Sequence, residues 1–333
     1  MPITGAKAAR TGGDQGVWGR LTRLFWRYPV IVLLIVLLCS TAIVTPAVLS
    51  VGNILLMLRQ YSALGIMAIG VTFVVLCGRL DVSIGSLSSL MVVITITLHD
   101  MLGPSVSVLV ALATAVLIGA INGYLIAYLR LSSLVTTLGM FAALQGVANV
   151  IGINGNQVVA QPDQSWLSFV GRGFVLGVPS PVWMFSIVAA VSAWVMAWTN
   201  FGRAILAVGG NEKASLYSSI DAPAIIFASF MISAICTWLG GLIMASRTMQ
   251  AQADSGSGME ILALSAIFLG GTSLGGGIGG MGRTVIGVIV LACLSNALIL
   301  IGAPIQAQWL ASGCIIVLAV WLDSISRKRN QLA

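Results

Sequence analysis

The stretch Ala224-Ile-Ile-Phe-Ala-Ser-Phe-Met-Ile-Ser-Ala-Ile-Cys-Thr-Trp-Leu-Gly-Gly-Leu-Ile-Met-Ala245 runs without one charged side chain. A helix needs about 20 predominantly apolar residues to cross the hydrocarbon core of a bilayer. Residues Val30 to Leu38 form a second continuous apolar run, and neither run alternates as a membrane β-barrel strand does. The sequence therefore predicts membrane-spanning helices and an all-α fold.

Composition extends this prediction to the whole chain. Of 333 residues, 58% are hydrophobic and only 8% are charged, far below the roughly 25% charged residues of soluble domains. Because apolar runs fill nearly the entire length, we expect one polytopic integral membrane domain in a lipid bilayer and no soluble domain. The net charge of +7 suits basic cytoplasmic loops rather than nucleic-acid binding. The five cysteines lack metal-ligand spacing and are interpreted as packing residues.

The distribution of charge orients the predicted spans. Three arginines at residues 20–27 precede the first span, and basic residues 327–329 follow the last. An even number of spans places both groups in the cytoplasm and leaves only Arg59, Arg172 and Arg247 outside, as the positive-inside tendency favours. We therefore expect about ten transmembrane helices, with cytoplasmic N- and C-termini, at residues 29–48, 61–78, 82–98, 104–129, 134–153, 181–199, 224–245, 259–275, 284–302 and 305–322.

The predicted spans divide the chain into three parts. Residues 1–28 form a cytoplasmic tail, whose stretch 17–28 is either a helix lying in the membrane interface or a basic flank of the first span. Residues 29–323 form the transmembrane domain, and residues 324–333 form a second cytoplasmic tail. A polar cytoplasmic loop at residues 200–222 interrupts the apolar sequence. We expect this loop to hold a short docking helix for a soluble partner.

The polar loop carries its charged residues beside a pair of glycines. Glu212 is expected to lie at the interface with the partner, and Gly209 and Gly210 are expected to permit the bend that enters the docking helix. The residues predicted to couple the chain to this partner are Arg203, Gly209, Gly210, Asn211, Glu212, Lys213 and Ala214.

Two glycine-containing interruptions follow apolar runs on the cytoplasmic side. They are Gly78-Arg-Leu-Asp-Val-Ser-Ile-Gly85 and the run from Gly270 to Gly282. The second includes Gly275-x-Gly277-x-x-Gly280, which matches a dinucleotide-binding turn, but an apolar span precedes it and no acid occurs in the span that follows. A tight turn or a close helix contact explains the run better. No P-loop motif occurs in the sequence, so we expect any nucleotide to bind to another chain.

Polar groups within the predicted spans are few and mostly uncharged. Asp81 is either a proton or cation site or, as we favour, a cap for a helix that begins at Val82-Ser83 near the cytoplasmic surface. The neutral side chains either line a path for a polar solute or bond helices together. No Ser/His/Asp set was found to support catalysis, so we expect neither enzyme activity nor a cofactor. The candidate break and path residues are Gly78, Asp81, Ser83, Gly85, Gly270, Gly271, Thr272, Asn122 and Asn296.

Short motifs in a fixed order resemble those of one transporter family. They include Asn53-Ile-Leu-x-x-Leu-Arg-Gln60, Gly78-Arg-Leu-Asp-Val-Ser-Ile-Gly85, Leu134-Val-Thr-Thr-Leu-Gly139, Gly209-Gly-Asn-Glu-Lys-Ala214 and Gly270-Gly-Thr-Ser-Leu-Gly-Gly276. Across residues 50–322 the chain is similar to the ribose-type permease subunits of ATP-binding-cassette (ABC) sugar importers. It departs from their pattern at Arg79, where a second Gly is common, and at Gln145, where Arg is common.

The resemblance implies a multi-pass permease of a bacterial inner membrane that forms the path for a sugar or related polar solute. It also implies a second permease subunit, identical or homologous, an extracytoplasmic sugar-binding protein, and a cytosolic ABC ATPase that binds the ATP. In this family the ATPase acts on the segment that matches residues 203–221. A self-contained facilitator or an ion-coupled carrier is the alternative, and neither of these needs a docking helix.

Overall fold

A computed structural model describes residues 49–153, 158–159 and 165–304, and the single positions 306, 310, 313 and 314. The helices are α1 (Val51–Leu76), α2 (Ile84–Leu102), α3 (Pro104–Ala127), α4 (Ser133–Ile153), α5 (Trp166–Arg172), α6 (Ser180–Trp198), α7 (Asn200–Gly210), α8 (Glu212–Tyr217), α9 (Ala222–Thr248), α10 (Met259–Leu269) and α11 (Met281–Leu300). Between α5 and α6, strand β1 (Phe174–Val175) pairs antiparallel with β2 (Val178–Pro179).

Within the described residues, 7 helices are long and apolar enough to cross a membrane: α1, α2, α3, α4, α6, α9 and α11. They confirm the predicted spans at 61–78, 82–98, 104–129, 134–153, 181–199, 224–245 and 284–302. The largest shift is at α1, which already begins at Val51 because the Ser50 hydroxyl caps it, accepting a hydrogen bond from the Asn53 amide at 3.3 Å. The predicted span 29–48 and both tails lie outside the described residues, as does the span 305–322 except for the four single positions.

The core of the fold is built from α1, α2 and α9, each of which is buried over more than half of its span. Helix α9 packs against α1, α2 and α3. This contact requires small residues, since a Cβ atom on Gly240 would lie 2.6 Å from Met67 and one on Gly241 would lie 2.7 Å from Met91. Helices α3, α4 and α6 instead turn much of their apolar surface outward. Such surfaces suit contact with lipid or with another membrane subunit.

The predicted span at 259–275 is wrong. Helix α10 has 11 residues, which rise only about 16 Å, and turns follow it through the glycine run 270–280. An irregular segment, residues 249–258, leads into α10 and packs inside the bundle, where the Gly256 amide donates to the Ser89 hydroxyl of α2 at 2.9 Å. Within the hydrocarbon layer of a membrane, irregular backbone is tolerated only where protein groups or water form hydrogen bonds with its polar atoms. Residues 249–269 thus comprise an irregular segment followed by a short apolar helix.

The described arginines are divided between the two ends of the bundle. Arg79 lies just after the end of α1, beside α8. Arg59 lies about 25 Å away along the axis of α1. There Arg59 donates to the Gly171 carbonyl oxygen and Arg172 donates to the Arg247 carbonyl oxygen, each at 3.0 Å. This division matches the one used in the positive-inside prediction.

Candidate functional site

The polar loop folds as two helices, α7 and α8, which meet at Asn211. Asn211 has an extended backbone (φ −159°), and its side-chain oxygen accepts a hydrogen bond from the Ala214 amide at 3.0 Å. It therefore ends α7 and caps α8. Thr199 caps α7 and Asp221 caps α9 in the same way. The single docking helix expected from the sequence is thus a pair of helices with a polar cap at the bend.

Gly209 and Gly210 do not form this bend, contrary to the expectation from the sequence. Both belong to α7 as its last two residues. Gly209 lies against the end of α1, where a Cβ atom would overlap the Leu76 carbonyl oxygen and would lie 2.6 Å from the Gly277 nitrogen. A Cβ atom on Gly210 meets nothing within 4 Å. Glycine is therefore required at position 209 for close packing of backbones. No such packing requires glycine at position 210.

Three glycine-containing segments meet here, at Gly78, Gly209–Gly210 and Gly276–Gly277, and we call this contact the glycine junction. The Gly277 amide donates to the Leu76 carbonyl oxygen at 2.9 Å. A Cβ atom on Gly276 would lie 2.5 Å from the Gly78 nitrogen, and one on Gly277 would lie 2.8 Å from the Gly210 Cα. Gly78 and Gly276 also have φ of 74° and 80°, which glycine adopts without strain. The junction thus joins α7 to both interruptions predicted from the sequence.

An ion pair joins α8 to the residue after the junction. The Arg79 Nη2 atom lies 2.7 Å from Glu212 Oε2, and the two side chains are 30% and 43% exposed. Glu212 was expected at a partner interface, and its contact within the chain was not predicted. The two residues are 133 positions apart, so no local pattern could have revealed the pair.

Asp81 is buried, with 3% of its surface exposed. Contrary to the expectation from the sequence, it does not cap a helix at the cytoplasmic surface. Helix α2 begins at Ile84, after the N-cap residue Ser83. The Asp81 carboxylate accepts hydrogen bonds from the Ser83 amide at 3.1 Å, from Ser83 Oγ at 2.6 Å and from Ser233 Oγ of α9 at 2.8 Å. Asn122 of α3 donates to Ser83 Oγ at 3.1 Å. Three predicted site residues, Asp81, Ser83 and Asn122, thus belong to one buried network.

Residues 77–83, which we call the first break, are also attached to α4. The Leu80 amide donates to the Ser133 hydroxyl and the Val82 amide to the Thr137 hydroxyl, each at 3.2 Å. These hydroxyls replace acceptors that an uninterrupted helix would supply. Together with Asp81, they hold the first break against three neighbouring helices.

Gly85 lies on the far side of the first break, beside the irregular segment 249–258. A Cβ atom on Gly85 would overlap the carboxylate of Glu260, which is buried at the start of α10, and would lie 2.9 Å from the Gly256 carbonyl oxygen. Gly85 is therefore a packing site between α2 and the irregular segment 249–258. The contact of Glu260 with Gly85 places this carboxylate within the bundle.

The remaining predicted site residues lie in two separate parts of the structure. Gly270 packs against the Arg283 carbonyl, Gly271 has φ of 85°, and Thr272 is 3% exposed, all in the turns between α10 and α11. Asn296 of α11 instead exchanges side-chain hydrogen bonds with Asn53 of α1 at 3.2 and 3.4 Å. Since Asn53 lies near the start of α1, Asn296 is far from the glycine junction and outside the Asp81 network.

The outer surface of α7 and α8 is exposed. Lys213 and Ala214 are exposed, and Tyr217 is 93% exposed. The Arg203 guanidinium donates to the Asn200 side chain one turn earlier. Beside it lies an open groove of about 550 Å³, lined by Asn200, Phe201, Arg203, Ala204, Ala207, Ile220 and Ile225. The helix pair thus has one face on the membrane helices and another available to a soluble partner.

Ser165, His99 and Asp100 form a hydrogen-bonded Ser/His/Asp arrangement that was not predicted from the sequence. His99 Nδ1 lies 2.7 Å from Asp100 Oδ1, and His99 Nε2 lies 2.8 Å from Ser165 Oγ. Ser165 Oγ also accepts a hydrogen bond from the Leu167 amide as the cap of α5. The three residues attach α5 to the end of α2 that is remote from the glycine junction. Their contacts account for a structural role.

Comparison with known proteins identifies relatives of the chain. Residues 53–320 match the family described as the permease component of branched-chain amino acid transport systems. The chain belongs to this permease family. The permease is 35% identical to the ribose import permease RbsC of Haemophilus influenzae over 294 residues, which cover 87% of this chain and 91% of that protein. It is 34% identical to RbsC of Escherichia coli over 297 residues, which cover 88% and 92% of the two chains.

A permease named for another sugar is also similar. The L-arabinose permease AraH of Azospirillum brasilense is 30% identical over 99% of this permease and 96% of its own length. No solved structure matches the chain significantly. The relatives and the seven apolar helices establish a multi-pass permease of the bacterial inner membrane, and they confirm the resemblance to sugar-importer permeases. The relatives are transport permeases and not enzymes.

Proposed function

We propose that this permease forms the transmembrane path for a monosaccharide and is driven by a separate cytosolic ABC ATPase, which binds the ATP. An extracytoplasmic sugar-binding protein delivers the solute, and a second permease subunit, identical or homologous, completes the path. The family description names branched-chain amino acids, but the relatives at 30–35% identity are named for the import of ribose, arabinose and xylose. These relatives favour a sugar.

The packing of α7 and α8 on the ends of the membrane helices is the observation that carries this proposal. A partner that displaces α7 also displaces Leu76 and Gly277, because backbone atoms touch at the glycine junction. The exposed side of the pair offers the ATPase a surface. We assign this contact to Arg203, Asn211, Lys213 and Ala214, whereas Gly209 faces the end of α1 and Glu212 is paired with Arg79.

The orientation follows from the charges. We propose that the glycine junction lies in the cytoplasm, together with Arg79, Arg130 and Lys213, and that Arg59 and Arg172 lie outside. Ten crossings within residues 29–323, one of them made by the irregular segment 249–258 together with α10, and tails at 1–28 and 324–333 are consistent with this orientation. The seven candidate spans support the polytopic part of this arrangement.

Reconstitution tests the proposed function. We expect proteoliposomes that contain the permease with its ATPase, binding protein and ATP to take up a mixture of radiolabelled D-ribose, L-arabinose and D-xylose. The same vesicles without ATPase or without ATP should take up no more than empty vesicles. Uptake by the purified permease alone would overturn the proposal in favour of a self-contained facilitator or carrier.

Substitution of Asp81 distinguishes the proposed ATPase-driven permease from an ion-coupled carrier. The change Asp81→Asn retains one acceptor oxygen for Ser83 and supplies a donor to Ser233 Oγ, so we expect uptake within about threefold of wild type. Asp81→Ala leaves these partners unsatisfied, at about 1–3 kcal/mol for each buried group, and should lower the thermal unfolding midpoint. Uptake in proteoliposomes and unfolding in detergent measure both effects. If the carboxylate carried a coupling ion, Asp81→Asn would abolish uptake without destabilising the protein.

A further inference from the structure

We infer that Arg79 and Glu212 are positioning residues for transport: their ion pair transmits the movement of α8 to the first break. This inference rests on the proposed ATPase-driven function and adds to it the route by which movement enters the membrane part of the chain.

The contact is suited to transmitting displacement. The guanidinium and the carboxylate are 2.7 Å apart, the distance of a charge-assisted hydrogen bond. Arg79 follows Gly78, whose φ of 74° ends α1, so the arginine backbone is already part of the first break. Because the pair is partly exposed to water, it contributes little to folding stability. We therefore expect its loss to disturb coupling rather than folding.

The first break is anchored at its other end in the protein interior. Asp81, two residues after Arg79, is bonded to Ser233 of α9 at 2.8 Å. The Leu80 and Val82 amides are bonded to hydroxyls of α4. A shift of α8 that carries Arg79 with it must therefore move this network or stretch it. The first break thus connects a cytoplasmic helix to buried side chains of two membrane helices.

The competing interpretation is that Glu212 acts only by touching the ATPase, since its side chain is 43% exposed. Charge reversal distinguishes the two interpretations. Arg79→Glu and Glu212→Arg each replace the attraction across this contact with repulsion between like charges, whereas the double substitution restores an opposite pair in reversed order. A contact made by Glu212 with the ATPase would stay broken in the double variant.

The experiment uses the full chain with its ATPase and binding protein in proteoliposomes, the same sugar mixture, and parallel measurement of ATP hydrolysis. We expect each single variant to copurify with the ATPase and to hydrolyse ATP, but to import at least tenfold less sugar for each ATP hydrolysed. The double variant should recover at least a third of the wild-type ratio. Arg130→Glu is the matched control, since Arg130 is exposed at the same end of the bundle, and its ratio should equal that of wild type.

Three results would overturn the inference. A double variant as poorly coupled as the single variants would assign Glu212 to the partner interface. Single variants that no longer copurify with the ATPase would do the same. Single variants with a wild-type ratio would show that the pair transmits nothing. None of these results affects the dependence of wild-type uptake on the ATPase, so failure of the inference is distinguishable from failure of the proposed function.

Discussion

The substitution Gly209→Ala is expected to reduce sugar uptake at least tenfold and to lower the thermal unfolding midpoint of the permease. The added Cβ atom would overlap the Leu76 carbonyl oxygen, which already accepts the Gly277 amide at 2.9 Å. Both neighbours are backbone atoms, so neither can rotate away. Alanine is favoured over glycine in a helix by about 1 kcal/mol, but overpacking typically costs about 1–3 kcal/mol and more where the backbone must shift. The steric effect therefore exceeds the gain in helix propensity.

Gly210→Ala is the matched control for this prediction. It adds the same atom to the next residue of the same helix, where nothing lies within 4 Å. We expect wild-type uptake and an unfolding midpoint equal to or slightly above that of wild type. Equal loss in both variants would show that the glycine pair matters for flexibility, as the sequence first suggested. Wild-type behaviour of both would show that the junction is loosely packed.

The second large effect is expected from Gly256→Ala, in the irregular segment before α10. A Cβ atom there would overlap the Gly85 carbonyl oxygen and the Ser88 hydroxyl, and would lie 3.0 Å from the Ser89 amide nitrogen. The variant must separate this segment from α2 and weaken the Gly256 to Ser89 hydrogen bond. We expect at least a tenfold loss of uptake and a lower unfolding midpoint, measured in proteoliposomes and in detergent.

The neighbouring variant Ser257→Ala serves as its control. Ser257 is exposed, and removal of its hydroxyl leaves the contact between Gly256 and α2 unchanged. Uptake and stability of this variant should match wild type. If Gly256→Ala also matched wild type, the close approach of the irregular segment to α2 would be refuted.

Most of the fold was predictable because lipid imposes a strong and local rule. A helix that crosses the bilayer must be predominantly apolar over about 20 residues, and seven spans were recognised from that property alone. The rule failed at 259–275, since Met259 to Leu269 and the glycine run after it are both apolar. Hydropathy does not separate a glycine turn from a helix. Only the contact of Gly256 with α2 reveals where this crossing becomes irregular.

The candidate site was predictable only in its parts. The glycine pair at 209–210 and the interruptions at 78–85 and 270–282 were singled out, but their meeting in one junction depends on tertiary packing. Asp81 was misplaced for the same reason, because its partner Ser233 lies 152 positions away. Glu212 was assigned a partner contact while its ion pair with Arg79 went unnoticed. Such pairs leave no periodic signal in a single sequence.

If the proposed sugar path runs beside the short helix α10, the length of this helix sets how much apolar barrier a polar solute meets. Its 11 residues span about 16 Å, roughly half of the 30 Å hydrocarbon layer. In the proposed crossing by residues 249–269, the remainder is irregular backbone, whose polar groups require water or protein partners at membrane depth. On a sugar path beside this crossing, the stretch without free backbone polar groups would therefore be close to half a bilayer.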